Sequence, residues 1–351
     1  MKPLLCIVLL SCVCAIHPAM AQNGKMLTPA EITALMANSP TSYVVTQAPS
    51  DSIRRVAIAA MFPLQEAYVA NPLVTGPEGN RTVEANEFPG LTSELFERAE
   101  KPYDPKNIPA ARAANNDIIK AVPSCYPAVA NLGDCYMLEG KLDSAVMQYD
   151  LAIKMAPLDY VDYLYKADVL YKAGRYDEAR KALIELLSLR PRYATARRMA
   201  HGMTKLGITV HDSLFAPAGY AIKNGDDVKI ICSDDKSASP WMGYAMGKGV
   251  WLGEPDHRKS LTGSTNLSWS DRHELECLAM LITIYEGQKK NNEGKISGLE
   301  SIESVVDDGL SQAFVLYEVA SRMDENIMLK ASDAEREGVR KYIGKYILPK
   351  S

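Results

Sequence analysis

Small, apolar and turn-forming positions recur every 34 residues through the middle of the chain. Gly140 returns as Gly174, Ala145 as Ala179 and Pro157 as Pro191, and Pro123 lies a further 34 residues upstream of Pro157. Tyr136, Leu142, Tyr149 and Ile153 fall at helical spacing within the period. A unit of this length is a helical hairpin, which cannot bury its apolar stripe alone and stacks on its copies. Gly140 and Gly174 sit where a left-handed residue ends the first helix cheaply. Asp143 and Asp177 then cap the second helix or support its first turn, and the prolines close it. Small residues at Gly133/Ala167 and Ala145/Ala179 let two antiparallel helices approach closely.

Outside the period the pattern changes. Thr28-Pro-Ala-Glu31 is a capping box with proline at the first helical position, opening a helix to about Asn38. Ser50 or Ser52 starts another, over 53–61. Pro72, Gly76-Pro77, Gly79 and Pro89-Gly90 then punctuate an irregular stretch. Residues 221–231 read as a β-hairpin on an Asn224-Gly225 turn. Ser239-Pro240 caps a helix bearing Trp241, Tyr244, Lys248 and Trp251, against which three internal glycines (Gly243, Gly247 and Gly249) argue. Helical stripes follow over 271–288, 298–308, 310–323 and 333–347, the last behind a second capping signal, Ser332-Asp-Ala-Glu335.

Set in register, 126–159 and 160–193 are two matching units. The first carries Leu132-Gly133, Tyr136, Gly140, Leu142, Ala145, Tyr149, Ala152 and Pro157; the second carries Ala167, Leu170, Gly174, Tyr176, Ala179, Leu183, Leu186 and Pro191. These residues resemble the tetratricopeptide repeat (TPR). Ala167 stands where that family has glycine and Leu186 where it has alanine. A degenerate third unit reads at 92–125, with Leu95, Ala99, Ala111, Ile118 and Pro123 in phase and its turn rebuilt as Lys101-Pro-Tyr-Asp-Pro-Lys. A cap helix follows over 194–206, ending at Gly207. The expected fold is mainly α: a TPR solenoid of about three helix-turn-helix units plus a cap helix, then a mostly helical C-terminal domain with a short β-hairpin. The linear division is 1–21 signal peptide, 22–91 N-terminal irregular and helical segment, 92–207 repeats and cap, and 208–351 C-terminal domain. The whole resembles exported bacterial TPR proteins with a C-terminal extension, a likeness that brings no activity with it.

Residues 1–21 read as an export signal: Lys2, an apolar run over 4–13, and Ala19-Met20-Ala21 before Gln22. The protein is therefore expected to be periplasmic or secreted. Leu9-Leu10-Ser11-Cys12 also reads as a lipid-attachment box, the alternative being a lipid-anchored envelope protein. Four of the seven cysteines lie beyond residue 21. Cys125 and Cys135 are too far apart along helical chain (about 15 Å) to bridge, while Cys232 with Cys277 is open to pairing or to two free thiols. A net charge of −4 argues against a nucleic-acid surface. No later run is long and apolar enough for a transmembrane helix.

Glu100, Asp134 and Asp168 share one position of the period, and Tyr103, Met137 and Tyr171 share another three residues on. In TPR proteins these positions face the concave groove. The resemblance thus implies a groove of carboxylates interleaved with large side chains, suited to a basic or amphipathic protein segment. Acidic residues on an exposed helix also serve simply to solvate it. The binding candidates are Glu100, Asp134, Met137, Asp168, Tyr171 and Lys172. The family's clamp for peptide carboxyl termini is not expected, since its places hold Ala130, Leu164, Asp134 and Asp168. A second candidate pocket gathers Trp241, Tyr244, Trp251 and His257, residues that equally suit an aromatic anchor between packed elements. His273, Glu276 and Cys277 share a helix face, with Asp256 and His257 nearby, but this is weak as a metal pattern, and exposed or satisfied polar residues read better. No catalytic residue, cofactor or metal is assigned, since no G-x-S-x-G, H-E-x-x-H, P-loop or dinucleotide fingerprint is present. The favoured function is a non-enzymatic scaffold or adaptor for protein–protein interaction. The alternative is a hydrolase with its site in 214–277 and the repeats recruiting substrate.

Overall fold

The computed structural model describes residues 26–91, 94, 97, 107–204, 207–235, 237–291, 295–296 and 298–350. The export segment, Glu100, Tyr103 and nearly all of the first half of the 92–125 unit lie outside them. The chain forms two compact units, each built from two stretches: Met1–Pro63 with Leu214–Ser311, and Leu64–Ser213 with Gln312–Ser351. The linear division at 91 and 207 does not follow these units. Both flanking segments are shared out, because strand pairing and helix packing, rather than chain order, decide the partners.

The repeat unit keeps its period in three dimensions. First helices span Tyr126–Leu138 and Tyr160–Lys172, and second helices span Leu142–Met155 and Tyr176–Leu189, each pair offset by one period. The Ile108–Ala121 helix lies one period earlier again, so the degenerate unit contributes its second helix in register. Ala111, Ala145 and Ala179 are equivalent and all buried. Gly140 and Gly174 adopt φ of 75° and 73°. Behind them Lys141 N–H donates to Tyr136 O and Arg175 N–H to Leu170 O, both at 2.9 Å, closing the same helix-ending motif twice. Asp143 and Asp177 occupy first turns but do not cap; Lys141 and Arg175 stand at the N-caps.

One substitution between units has its compensation. A Cβ on Gly133 would lie 2.7 Å from the Tyr149 ring. One period on, the equivalent residues are Ala167 and Leu183, both buried, and a leucine in place of the tyrosine ring is the smaller side chain opposite a methyl group. The cap helix spans only Ala194–Gly202. The Asp333–Tyr342 helix packs on Tyr176–Leu189, where Arg340 pairs with Glu185 at 2.7 Å and Arg180 donates to the carbonyls of Gly344 and Leu348 at 2.8 and 2.7 Å. Two stretches read as plain α-helix contain π-helical segments, Val315–Ala320 and Ile343–Ile347.

The other unit is a three-layered α/β assembly. Ser42–Ala48 runs parallel to Asp227–Ser233, which pairs antiparallel with Gly219–Asn224. The hairpin expected from the sequence is present, with its turn centred one residue later: Asn224 ends the first strand and Gly225 takes the positive φ of 64°. The Ala238–Gly253 helix covers Ala221, Val228 and Ile230 through Ala245, Met246 and Val250. It starts from Ser237, two residues before the expected cap. Its glycines are contact points: a Cβ on Gly247 would meet Cys277 Sγ at 2.8 Å, and one on Gly249 would meet Ile230 at 3.0 Å. The helix-propensity cost of each, about 1 kcal/mol, is offset by close packing on two sides. The Ser50–Met61 helix packs on Gly219–Asn224 and Asp227–Ser233, burying Ile53 and Ala57.

The Gly133–Tyr149 contact sets a stability test. Gly133→Ala is expected to cost ~1–3 kcal/mol through overpacking. In a Tyr149→Leu background, which recreates the Ala167–Leu183 pair, the same change should cost under about 0.5 kcal/mol. Urea midpoints of the four proteins measure the coupling, and additive costs would exclude it.

Candidate functional site

The two first helices of the central units lie side by side and bring several of the expected groove residues together. Lys172 Nζ sits 2.6 Å from Asp168 Oδ2 and 3.5 Å from Met137 Sδ, bridging neighbouring units. Tyr171 rests against Tyr176 with ring centroids 5.5 Å apart. Tyr165, half exposed, rests beside Tyr149 at 5.9 Å. Asp134 is not a bare carboxylate: Tyr149 donates its hydroxyl to Asp134 Oδ1 at 2.5 Å. Burial raises its pKa against the opposing effect of the Tyr149 hydrogen bond, and Asp168 raises it further. With Asp134 engaged by Tyr149 and Asp168 paired to Lys172, the face is less acidic than the repeated carboxylates suggest. Ala130 and Leu164 are buried and offer nothing to a peptide carboxylate.

A further carboxyl, buried within reach of Asp159 and Asp134, has no signal in the sequence. Asp162, 2% exposed, has Oδ2 buried and without a hydrogen-bond partner. Burial, then Asp159 and Asp134, push it up to about 8. Asp159 itself accepts from Tyr126 Oη at 2.8 Å and Val161 N at 3.0 Å. Arg190 stands among the rings of Tyr68, Tyr160 and Tyr193, 4.4–4.8 Å from each centroid, and also donates to Tyr160 Oη. Tyr68 and Phe88 pack edge-on against Tyr160 and Tyr126, at the starts of the two first helices.

In the α/β unit the second set of candidates is interior rather than pocket. Tyr244, Trp251 and His257 are buried. Tyr244 donates to Glu274 at 2.7 Å, and Lys248 pairs with the same carboxylate. His257 Nε2 meets Glu276 Oε2 at 2.8 Å, Leu27 N–H donates to Glu276 Oε1 at 2.8 Å, and Trp251 stacks on His273 at 4.4 Å. Burial would raise the Glu276 carboxyl, but His257 and His273 outweigh it and hold it down at about 2. Burial lowers the His273 imidazole and pushes the Cys277 thiol well up. The His273–Glu276–Cys277 face is thus a satisfied polar core. Cys125, Cys135, Cys232 and Cys277 are all buried free thiols, so Cys232 and Cys277 are not bridged. Among the described residues, no group of three or more His, Cys, Asp or Glu is arranged to hold a metal ion. Trp241 lines a cavity of about 220 Å³ with Leu214, Leu299, Ile302, Asp235 and Ser237.

Two family models described as tetratricopeptide repeat match the chain, over residues 126–157 and 164–200. The middle of this chain is a TPR array. The matches fall on the helices that hold Asp134, Met137, Asp168 and Lys172, and the second runs on into the cap helix. No curated protein matches the chain. TPR arrays generally mediate protein–protein interaction, and no described helix is long and apolar enough to cross a membrane.

Asp162 gives the TPR array a pH signature. Its folded pKa lies far above the unfolded value of about 3.9, so its neutral form favours the fold fully below pH ~4. That contribution falls as pH rises and is lost as pH passes through about 8. Asp162→Asn, which cannot ionise, is therefore expected to gain on the wild type by a kcal/mol or more between pH 4.5 and 7.5. Parallel urea-midpoint profiles for the two proteins would rule this out.

Proposed function

We propose that the protein is an exported scaffold whose TPR face holds a segment of another protein. Export rests on the Lys2, 4–13 and Ala19-Met20-Ala21 pattern, and the lipid-anchored form on Cys12. The observation that carries the binding reading is the junction of Met137, Asp168 and Lys172 across two neighbouring first helices, beside the half-exposed Tyr165.

The partner best suited to that junction is an amphipathic segment with few basic residues. Its apolar side chains would lie on Met137 and Tyr165, and a basic side chain would compete with Lys172 for Asp168. The Lys172–Asp168 pair is solvent-accessible, so releasing it costs little, under about 1 kcal/mol. The hydrolase reading gains nothing from 214–277. Its imidazoles are committed to Glu276, and a buried thiol with a raised pKa is a poor nucleophile.

Capture of partners from envelope extract by residues 22–351 tests the proposal. Asp168→Lys and the double change Met137→Ala/Tyr165→Ala are expected to lose the captured protein while melting within a few degrees of the wild type. Asp134 is left alone because its change would also break the Tyr149 contact. Undiminished capture by both variants would refute the groove.

A further inference from the structure

The three-stranded sheet ends on Ser42–Ala48. One side of this strand is paired in parallel with Asp227–Ser233 through seven consecutive residue pairs without a bulge. No strand among the described residues pairs with its other side. Alternate backbone N–H and C=O groups of an edge strand point outward and are open to another strand.

Edges that must stay single are usually blunted by lysine, proline, a bulge or a covering element. Ser-Tyr-Val-Val-Thr-Gln-Ala carries no charge, no proline and no glycine, and its register is unbroken. Tyr43 and Val45 pack inward on the core. Ser42, Val44, Thr46 and Gln47 are exposed, Val44 by 38%.

We propose that a second copy of this chain pairs on this edge, antiparallel about a two-fold axis at Val45, joining the two sheets into one of six strands. Isologous pairing sets each residue against its mirror position. Val45 then meets its own copy, Val44 meets Thr46, Tyr43 meets Gln47 and Ser42 meets Ala48. Any charge near the axis would face its like, and this strand carries none. The central pairs are β-branched, the kind that stabilises neighbouring strands. Strand alternation puts Tyr43, Val45 and Gln47 on one face and Ser42, Val44, Thr46 and Ala48 on the other, so the two residues of each pair share a face and the pleat continues across the axis. This dimer is independent of the groove proposed above.

Sedimentation of residues 22–351 between 1 and 200 μM tests it. The wild type is expected to show a concentration-dependent monomer–dimer equilibrium. Val44→Lys, at an exposed position, should weaken it at least tenfold with unchanged far-UV circular dichroism. Mixing Val44→Cys with Thr46→Cys protein should give a disulfide-linked dimer, the four native thiols at 125, 135, 232 and 277 being buried. A wild type monomeric throughout would overturn the proposal, whether the edge is empty or takes another protein's strand. So would a dimer untouched by Val44→Lys and without the 44–46 crosslink, such as one formed through the exposed Met147, Leu151 and Met155.

Discussion

Two antiparallel helices approach only as closely as the side chains between them allow, and in the first central hairpin Gly133 and Tyr149 set that distance. The ring lies where a Cβ would be, and this placement carries the Tyr149 hydroxyl to Asp134. One contact therefore closes the hairpin and satisfies a carboxylate on its face. In the next unit the equivalent positions hold the buried Ala167 and Leu183, which bring no hydroxyl, and the equivalent carboxylate, Asp168, takes Lys172 instead. The chemistry of the candidate groove follows from core packing. A carboxylate tied to a buried phenol is fixed, whereas one tied to an exposed lysine can exchange partners.

Close approach rules the α/β unit as well, with a different outcome. Gly247 brings the Ala238–Gly253 helix down onto the helix that carries Cys277. At that spacing Lys248 reaches Glu274, Trp251 covers His273, and the charges are shut away from water. Buried charges persist only when paired and hydrogen-bonded, and each carboxylate here has its cation or imidazole. A catalytic cluster would need a group left poised and reachable. This one is spent on its neighbours.

The sequence carries local information well. Glycine, alanine and proline at one period fix helix ends in the TPR array within a residue or so, and both Ser/Thr-x-x-Glu boxes cap as written, Thr28 with Glu31 and Ser332 with Glu335. Charge at Asp134 and Asp168 was equally visible, and Lys172 four residues after Asp168 could have been read as its partner. The engagement of Asp134 could not, since Tyr149 reaches it only across a packed hairpin. The same holds for Asp162, whose position gives no hint of its burial. Strand Ser42–Ala48 leaves no local trace, because its partner is Asp227–Ser233, far along the chain. Gly243, Gly247 and Gly249 argued against a helix that exists because propensity yields to packing.

Chain order and spatial order conflict in a way that bears on assembly. The TPR array and its flanks lie between the two halves of the α/β unit, and 312–351 returns to the array. Closing a flexible loop of the ~150 residues between Pro63 and Leu214 costs about 4 kcal/mol of chain entropy. Repeat helices need only neighbouring contacts and can form first, which shortens the effective loop before Ser42–Ala48 meets Asp227–Ser233. The parallel pair of strands is thus the contact most dependent on the rest being in place. The C-terminal segment has the opposite standing, because Tyr176–Leu189 offers Arg180 and Glu185 to it as soon as the last repeat has formed.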